Sequence, residues 1–98
     1  MQERRRQKPA SLTAEQAFGT VLRDIRKERE LSQEALGFES GYHPTYIGQL
    51  ERGRKSPSLR AIMNLAGVLR TPGSEMLLRV EALLSRIAPA KAKPERRV

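Results

Sequence analysis

Thr45, Gly48, Gln49 and Arg52 stand within one short segment, GYHPTYIGQLERG over residues 41–53, that opens and closes on glycine. Read as a helix, Thr45 and Gln49 are four residues apart and share one face. Hydroxyl and amide groups hydrogen-bond to base edges, with glutamine able to address adenine bidentately, and a cation at the end of the same face reaches phosphate. Gly48 would let a backbone approach closely, and Pro44 suits the first turn. The same residues also fit a short helix that tolerates a glycine at an exposed site. The chemistry they point to is non-covalent recognition of a nucleic acid.

Other chemistries find less support. His43 is the single histidine and there is no cysteine, so a zinc-type site would rest on one imidazole and carboxylates. His43 reads instead as a helix cap or a DNA contact. Asp24 and Glu28 have a spacing suited to paired carboxylates, but they interleave with Arg23, Lys27 and Arg29, which describes a solvated charged face. No stretch resembles a nucleophile elbow or a phosphate-binding glycine loop. The expectation is a protein that is not an enzyme and uses no cofactor or metal.

Glu51 supplies the link to the rest of the fold. It lies four residues after Ile47, at the border of a buried stripe, where a carboxylate needs a partner. Arg26 lies four after Leu22, at the edge of the stripe on an earlier helix. An Arg26–Glu51 ion pair would tie the two helices together and turn Arg52, Arg54 and Lys55 outward.

The elements that must position these groups are helical. The stretch SLTAEQAFGTVLRDIRKERE carries Phe18, Val21, Leu22 and Ile25 on one stripe, with Thr13 and Gln16 forming a capping box and Gly19 weakening the helix slightly. LSQEALGFES follows, capped by Ser32, with Ala35 and Leu36 inward and Gly41 as its stop. A third helix over 44–52 buries Ile47 and Leu50 and ends at Gly53. Two short helices joined by a tight glycine turn describe a helix-turn-helix unit. After a basic loop, Ser58 caps LRAIMNLAGVLR, with Leu59, Ile62, Leu65, Ala66 and Leu69 inward. TPG breaks the chain, and Ser74 is the expected cap of a fifth helix over 74–88, before Pro89. No strand alternation or internal repeat is present, so the fold class is all-α.

Net charge is +8, concentrated at the ends: residues 1–8 and 89–98 each carry +3, and the body between them only +2. The expected organisation is a basic arm over 1–11, one domain over 12–88 and a basic tail over 89–98. Such ends favour a polyanionic partner, and are expected to strengthen DNA binding without choosing sequence. The alternative is that they only aid solubility. Without cysteine there is no disulfide framework, and an intracellular, cytoplasmic setting is the default. No apolar run approaches the ~20 residues that span a bilayer. The basic N-terminus has no apolar stretch after it and does not read as a secretory signal.

Across residues 18–69 the chain resembles the helix-turn-helix domain of the phage repressor and Cro family, also called Xre. The resemblance rests on LSQ opening the second helix, Gly41 in the turn, YIxxLERG in the third helix, then SPSL and LAxxL. It implies a five-helix all-α domain whose third helix reads the major groove while the second lies across the backbone. By the same resemblance Gln33 contacts phosphate, Arg26 and Glu51 form a structural tie, and His43, Pro44, Thr45, Gly48 and Gln49 fall at base-reading positions. Tyr46, Arg52, Arg54 and Lys55 complete the expected phosphate contacts. The sequence departs from the family pattern at Gly37, Phe38 and Pro44. Pro44 cannot hydrogen-bond to a base, which leaves Thr45 and Gln49 as the foremost readers.

The fifth helix raises the question of assembly. Met76, Val80, Leu83 and Ile87 follow a short heptad seam, widened by Leu77 and Leu84. The seam is an expected homodimer interface, with packing on its own domain as the alternative. The expected function is that of a sequence-specific, homodimeric DNA-binding transcriptional regulator, acting as a repressor. The competing reading from another class is a protein-interaction adaptor bridging a regulator and the transcription machinery, with only non-specific DNA affinity.

Overall fold

A computed structural model describes residues 12–87. The basic arm and tail lie outside the described residues, and so does the side chain of Ile87. Five helices follow one another: α1 (Ala14–Glu28), α2 (Gln33–Ser40), α3 (Pro44–Glu51), α4 (Leu59–Leu69) and α5 (Gly73–Ile87). No strand occurs among the described residues.

Short polar side chains set four of the helix starts. Thr13 Oγ1 accepts from the Gln16 N–H at 3.0 Å while Gln16 Oε1 accepts from the Thr13 N–H at 3.0 Å, closing the capping box on α1. Ser32 and Ser58 accept from the backbone of Ala35 and Ala61 in the same way. His43 caps α3, and Pro44 follows at the first helical position. The fifth start departs from the expectation. The Pro72 carbonyl accepts from the N–H groups of Glu75 and Met76, so α5 begins at Gly73 and Ser74 falls inside the first turn.

Phe18, Val21, Leu22 and Ile25 of α1 meet Leu36 of α2, Ile47 and Leu50 of α3, Leu65 and Leu69 of α4, and Met76 and Val80 of α5 in one core. Two sequence expectations need correction here. Leu59 is not inward but 70% exposed: it sits at the very start of α4, in register with the exposed Met63 rather than with Ile62, Leu65 and Leu69. Met76 and Val80 are not available to a second copy, because α5 lays them against α1, leaving them 0% and 7% exposed. Leu83 and Leu84 are half-buried against the same core, and Leu77 alone of the described seam is exposed, at 42%.

Gly19 is needed where α1 crosses α3. A Cβ there would stand 2.3 Å from the Leu50 carbonyl oxygen and 2.5 Å from that of Glu51. The backbones touch, which brings Arg26, two helix turns later, within reach of Glu51. Gly41 ends α2 at φ 83°, in the left-handed region. Two side chains then satisfy helix ends from a distance. Arg29 Nε donates to the Leu69 carbonyl at 2.7 Å, and Asn64 Nδ2 donates to the Ser40 carbonyl at 2.8 Å. The Asp24 and Glu28 face is a charged surface, with Arg79 of α5 3.5 Å from Glu28 and 2.9 Å from Glu75.

Candidate nucleic-acid interface

Two helix starts converge on one concave surface. Ser32, Gln33 and Glu34 from α2 line it with Pro44, Thr45 and Gly48 from α3, Arg52 just beyond α3, and Arg26 at its floor. The tight turn after α2 brings this about: α2 is stopped at Gly41 and α3 starts at Pro44, so the two pack directly on each other.

His43 and Thr45 are exposed, and Gln49 is half-buried along the outer side of α3. His43 Nδ1 accepts from the Thr45 N–H at 3.0 Å. The capping bond assigns the neutral imidazole's proton to Nε2, which leaves that nitrogen as a donor toward a ligand. Tyr46 is half-buried against the core and stacks obliquely on Tyr42, with ring centroids 5.0 Å apart. Burial, and then the neighbouring Tyr42, push its phenol above the ordinary range. Tyr46 therefore stays protonated at neutral pH and keeps a donor for an anion. Arg52, Arg54 and Lys55 are exposed, forming a cationic corner at the end of α3.

Gly48 occupies a different environment from the open one its spacing suggests. It is buried, and a Cβ on it would meet Arg52 Nη1 at 3.2 Å and Gln33 Oε1 at 3.7 Å. The missing side chain makes room for Arg52 to fold back over α3 beside Gln33.

The Arg26–Glu51 pair is present and nearly enclosed, with side chains 10% and 3% exposed. Arg26 Nε donates to Glu51 Oε2 at 2.6 Å, and its Nη2 donates to Oε1 at 3.0 Å. Its Nη1 donates to the Leu31 carbonyl at 2.8 Å, binding the α1–α2 connection into the same unit. Its hydrogen bonding to Glu51 raises the Arg26 guanidinium above its already high range, outweighing the opposing effect of burial, so it stays charged. Gln33 also joins this unit, Nε2 donating to Glu51 Oε1 at 3.0 Å. Sequence reasoning found the pair from its stripe-border spacing but missed Gln33, whose partner lies 18 residues away with no shared periodicity. It missed Arg29 for the same reason.

Among the described residues there is no cluster of His, Cys, Asp or Glu able to hold a metal, and no helix long and apolar enough to cross a membrane.

Comparison with known proteins agrees with this geometry. Residues 22–76 match the family model HTH_3, described as Helix-turn-helix. The match runs from late in α1 to early in α5 and contains the whole concave surface. The chain is 38% identical over 61 residues to control protein C.BamHI of Bacillus amyloliquefaciens, covering 61% of this chain and 75% of that one. The crystal structure of the restriction-modification controller protein C.AhdI from Aeromonas hydrophila superposes with a TM-score of 0.62 at 40% identity, over 63% of this chain and 94% of that one. The clp gene regulator ClgR from Corynebacterium glutamicum gives a TM-score of 0.75 at 25% identity, over 78% and 81% of the two chains.

Proposed function

From the premise that this chain belongs to the helix-turn-helix (HTH_3) family and is a DNA-binding transcription regulator, we propose how it reads its site. It works in the cytoplasm as a homodimer. The α3 helix of each copy lies in the major groove of one half-site, and the start of α2 lies on the adjacent backbone. The observation that carries this reading is the shared concave surface. It turns hydrogen-bonding side chains of α3 and the start of α2 to the same side, beside a cationic corner. His43, Thr45 and Gln49 read bases. Gln33, Tyr46, Arg52, Arg54 and Lys55 hold phosphates. Gly48 contributes by giving Arg52 and Gln33 their places. Among kinds of regulator, similarity to control proteins over most of their length favours a controller of the restriction–modification type.

Gln49→Ala should lower affinity for the protein's selected site by about 1–3 kcal/mol and relax preference at one or two base pairs. Binding assays on the selected duplex and on single-base variants check it. Equal weakening on every sequence would reassign Gln49 to the backbone.

Dimerisation needs a surface other than the buried Met76 and Val80. An apolar ridge remains where α4 meets α5: the exposed Leu59 and Met63, with Met63 Sδ packed over Gly73, beside Ile62 and Leu77. Leu77 and the half-buried Leu84 continue it along α5. Two such ridges related by a two-fold axis would set the recognition helices about 34–36 Å apart. Leu77→Glu should therefore give a folded monomer with weakened operator binding, since the side chain is exposed and the core does not depend on it. Sedimentation at micromolar concentration decides this, and a Leu77→Glu protein that still sediments as a dimer rules out the ridge.

A further inference from the structure

Gln33 is the first residue of α2 and one of the groups assigned above to phosphate, yet its amide is already committed on one side. Nε2 gives one hydrogen to Glu51 Oε1 at 3.0 Å. Glu51 is itself held by two bonds from Arg26, at 2.6 and 3.0 Å, and its side chain is 3% exposed. An ionised carboxylate only accepts, so Gln33 can meet it only with the NH2 end of its amide. The carbonyl end is turned to the Gly48 flank. There Gln33 Oε1 and Arg52 Nη1 lie 3.7 and 3.2 Å from the same point, the place a Cβ on Gly48 would occupy. The amide thus meets the Glu51 anion with its positive end. One N–H of Gln33 is left for a ligand, in a side chain whose rotamer and amide orientation are fixed before any ligand arrives.

We propose that Glu51, clamped by Arg26, is a positioning residue for DNA backbone binding, presetting the remaining Gln33 N–H for one phosphate oxygen. This rests on the assignment of Gln33 to phosphate. A preset donor spares the ordering of a long, flexible side chain on binding. Glutamine at position 51 is neutral and offers an N–H as well as an oxygen, so it no longer dictates which end of the Gln33 amide faces it. A residue that acts only on fold stability would have no reason to depend on Gln33.

The test is a double-mutant cycle on the full chain with a random-sequence DNA duplex as probe, at a temperature where circular dichroism shows every variant folded. Gln33→Ala and Glu51→Gln should each weaken binding about tenfold, the scale of a hydrogen bond to a charged group. The double variant should bind no more weakly than Gln33→Ala alone, within about twofold. Two losses that multiply would overturn the proposal. An unchanged affinity for Gln33→Ala would overturn the phosphate assignment and the proposal with it, so the two failures are distinguishable. Should Glu51→Gln not fold, the unmodified protein gives the answer by NMR. The Gln33 side-chain amide, identified by its absence from the Gln33→Ala spectrum, should show one proton protected from exchange and the other shifting when duplex is added. Two protons exchanging at the rate of a free amide would contradict it.

Discussion

Arg26→Ala should reduce the stability of the fold by about 3–5 kcal/mol, the usual cost of leaving one member of a buried ion pair alone. The Glu51 carboxylate, 3% exposed, would keep only the Gln33 amide as a donor from this network. The Leu31 carbonyl would lose its 2.8 Å bond from Arg26 Nη1, loosening the connection between α1 and α2. Replacing both partners with apolar residues of matched volume, Arg26→Met with Glu51→Leu, should recover much of the loss, because no charge is then stranded. Denaturant titration measures both. An Arg26→Ala protein as stable as its parent would show that water reaches Glu51 freely and that the pair does not hold α1 to α3.

Gly19→Ala is expected to be nearly as damaging, although helix propensity alone predicts a gain of about 1 kcal/mol from replacing an exposed helical glycine with alanine. The added Cβ would stand 2.3 and 2.5 Å from two backbone carbonyl oxygens of α3, which have no rotamer by which to withdraw. Only separation of α1 from α3 relieves the contact. Overpacking of this kind costs about 1–3 kcal/mol or more, and here separation would also stretch the Arg26–Glu51 bonds. We expect a net loss of at least about 2 kcal/mol, accompanied by weaker DNA binding. A thermal melt that rises with Gly19→Ala would mean the helices can part without cost.

These two residues mark how far the sequence could be read. Caps at Thr13, Ser32 and Ser58 are visible because the acceptor and the donor are three residues apart, and the Arg26–Glu51 pair is visible because each partner borders an apolar stripe. Gly19 looks like a weak point in a helix when α1 is considered alone. Its purpose lies in the approach of α3, about thirty residues on, and periodicity carries no record of that. Met76 and Val80 follow the same logic. A heptad seam states that a stripe will be buried, and the choice between its own domain and a second copy is made by the angle at which α5 crosses α1. Leu59 departs from its expected inward place because it stands at a helix end, where one residue of phase decides between core and solvent. Within the interface, residue types on the outer side of α3 were legible, whereas the side-chain network that orders Gln33, Arg52 and Gly48 was not. It joins groups brought together only by the turn between α2 and α3.

That α3 chooses a DNA sequence is tested most directly by selecting bound duplexes from a random pool. The full chain should enrich a two-fold related consensus with half-sites about one helical turn, or 10–10.5 base pairs, apart. The same selection with Gln49→Ala should lose preference at one or two symmetric positions while keeping the spacing. A pool that stays random while binding weakens steeply with salt would contradict the claim, leaving only attraction to phosphate.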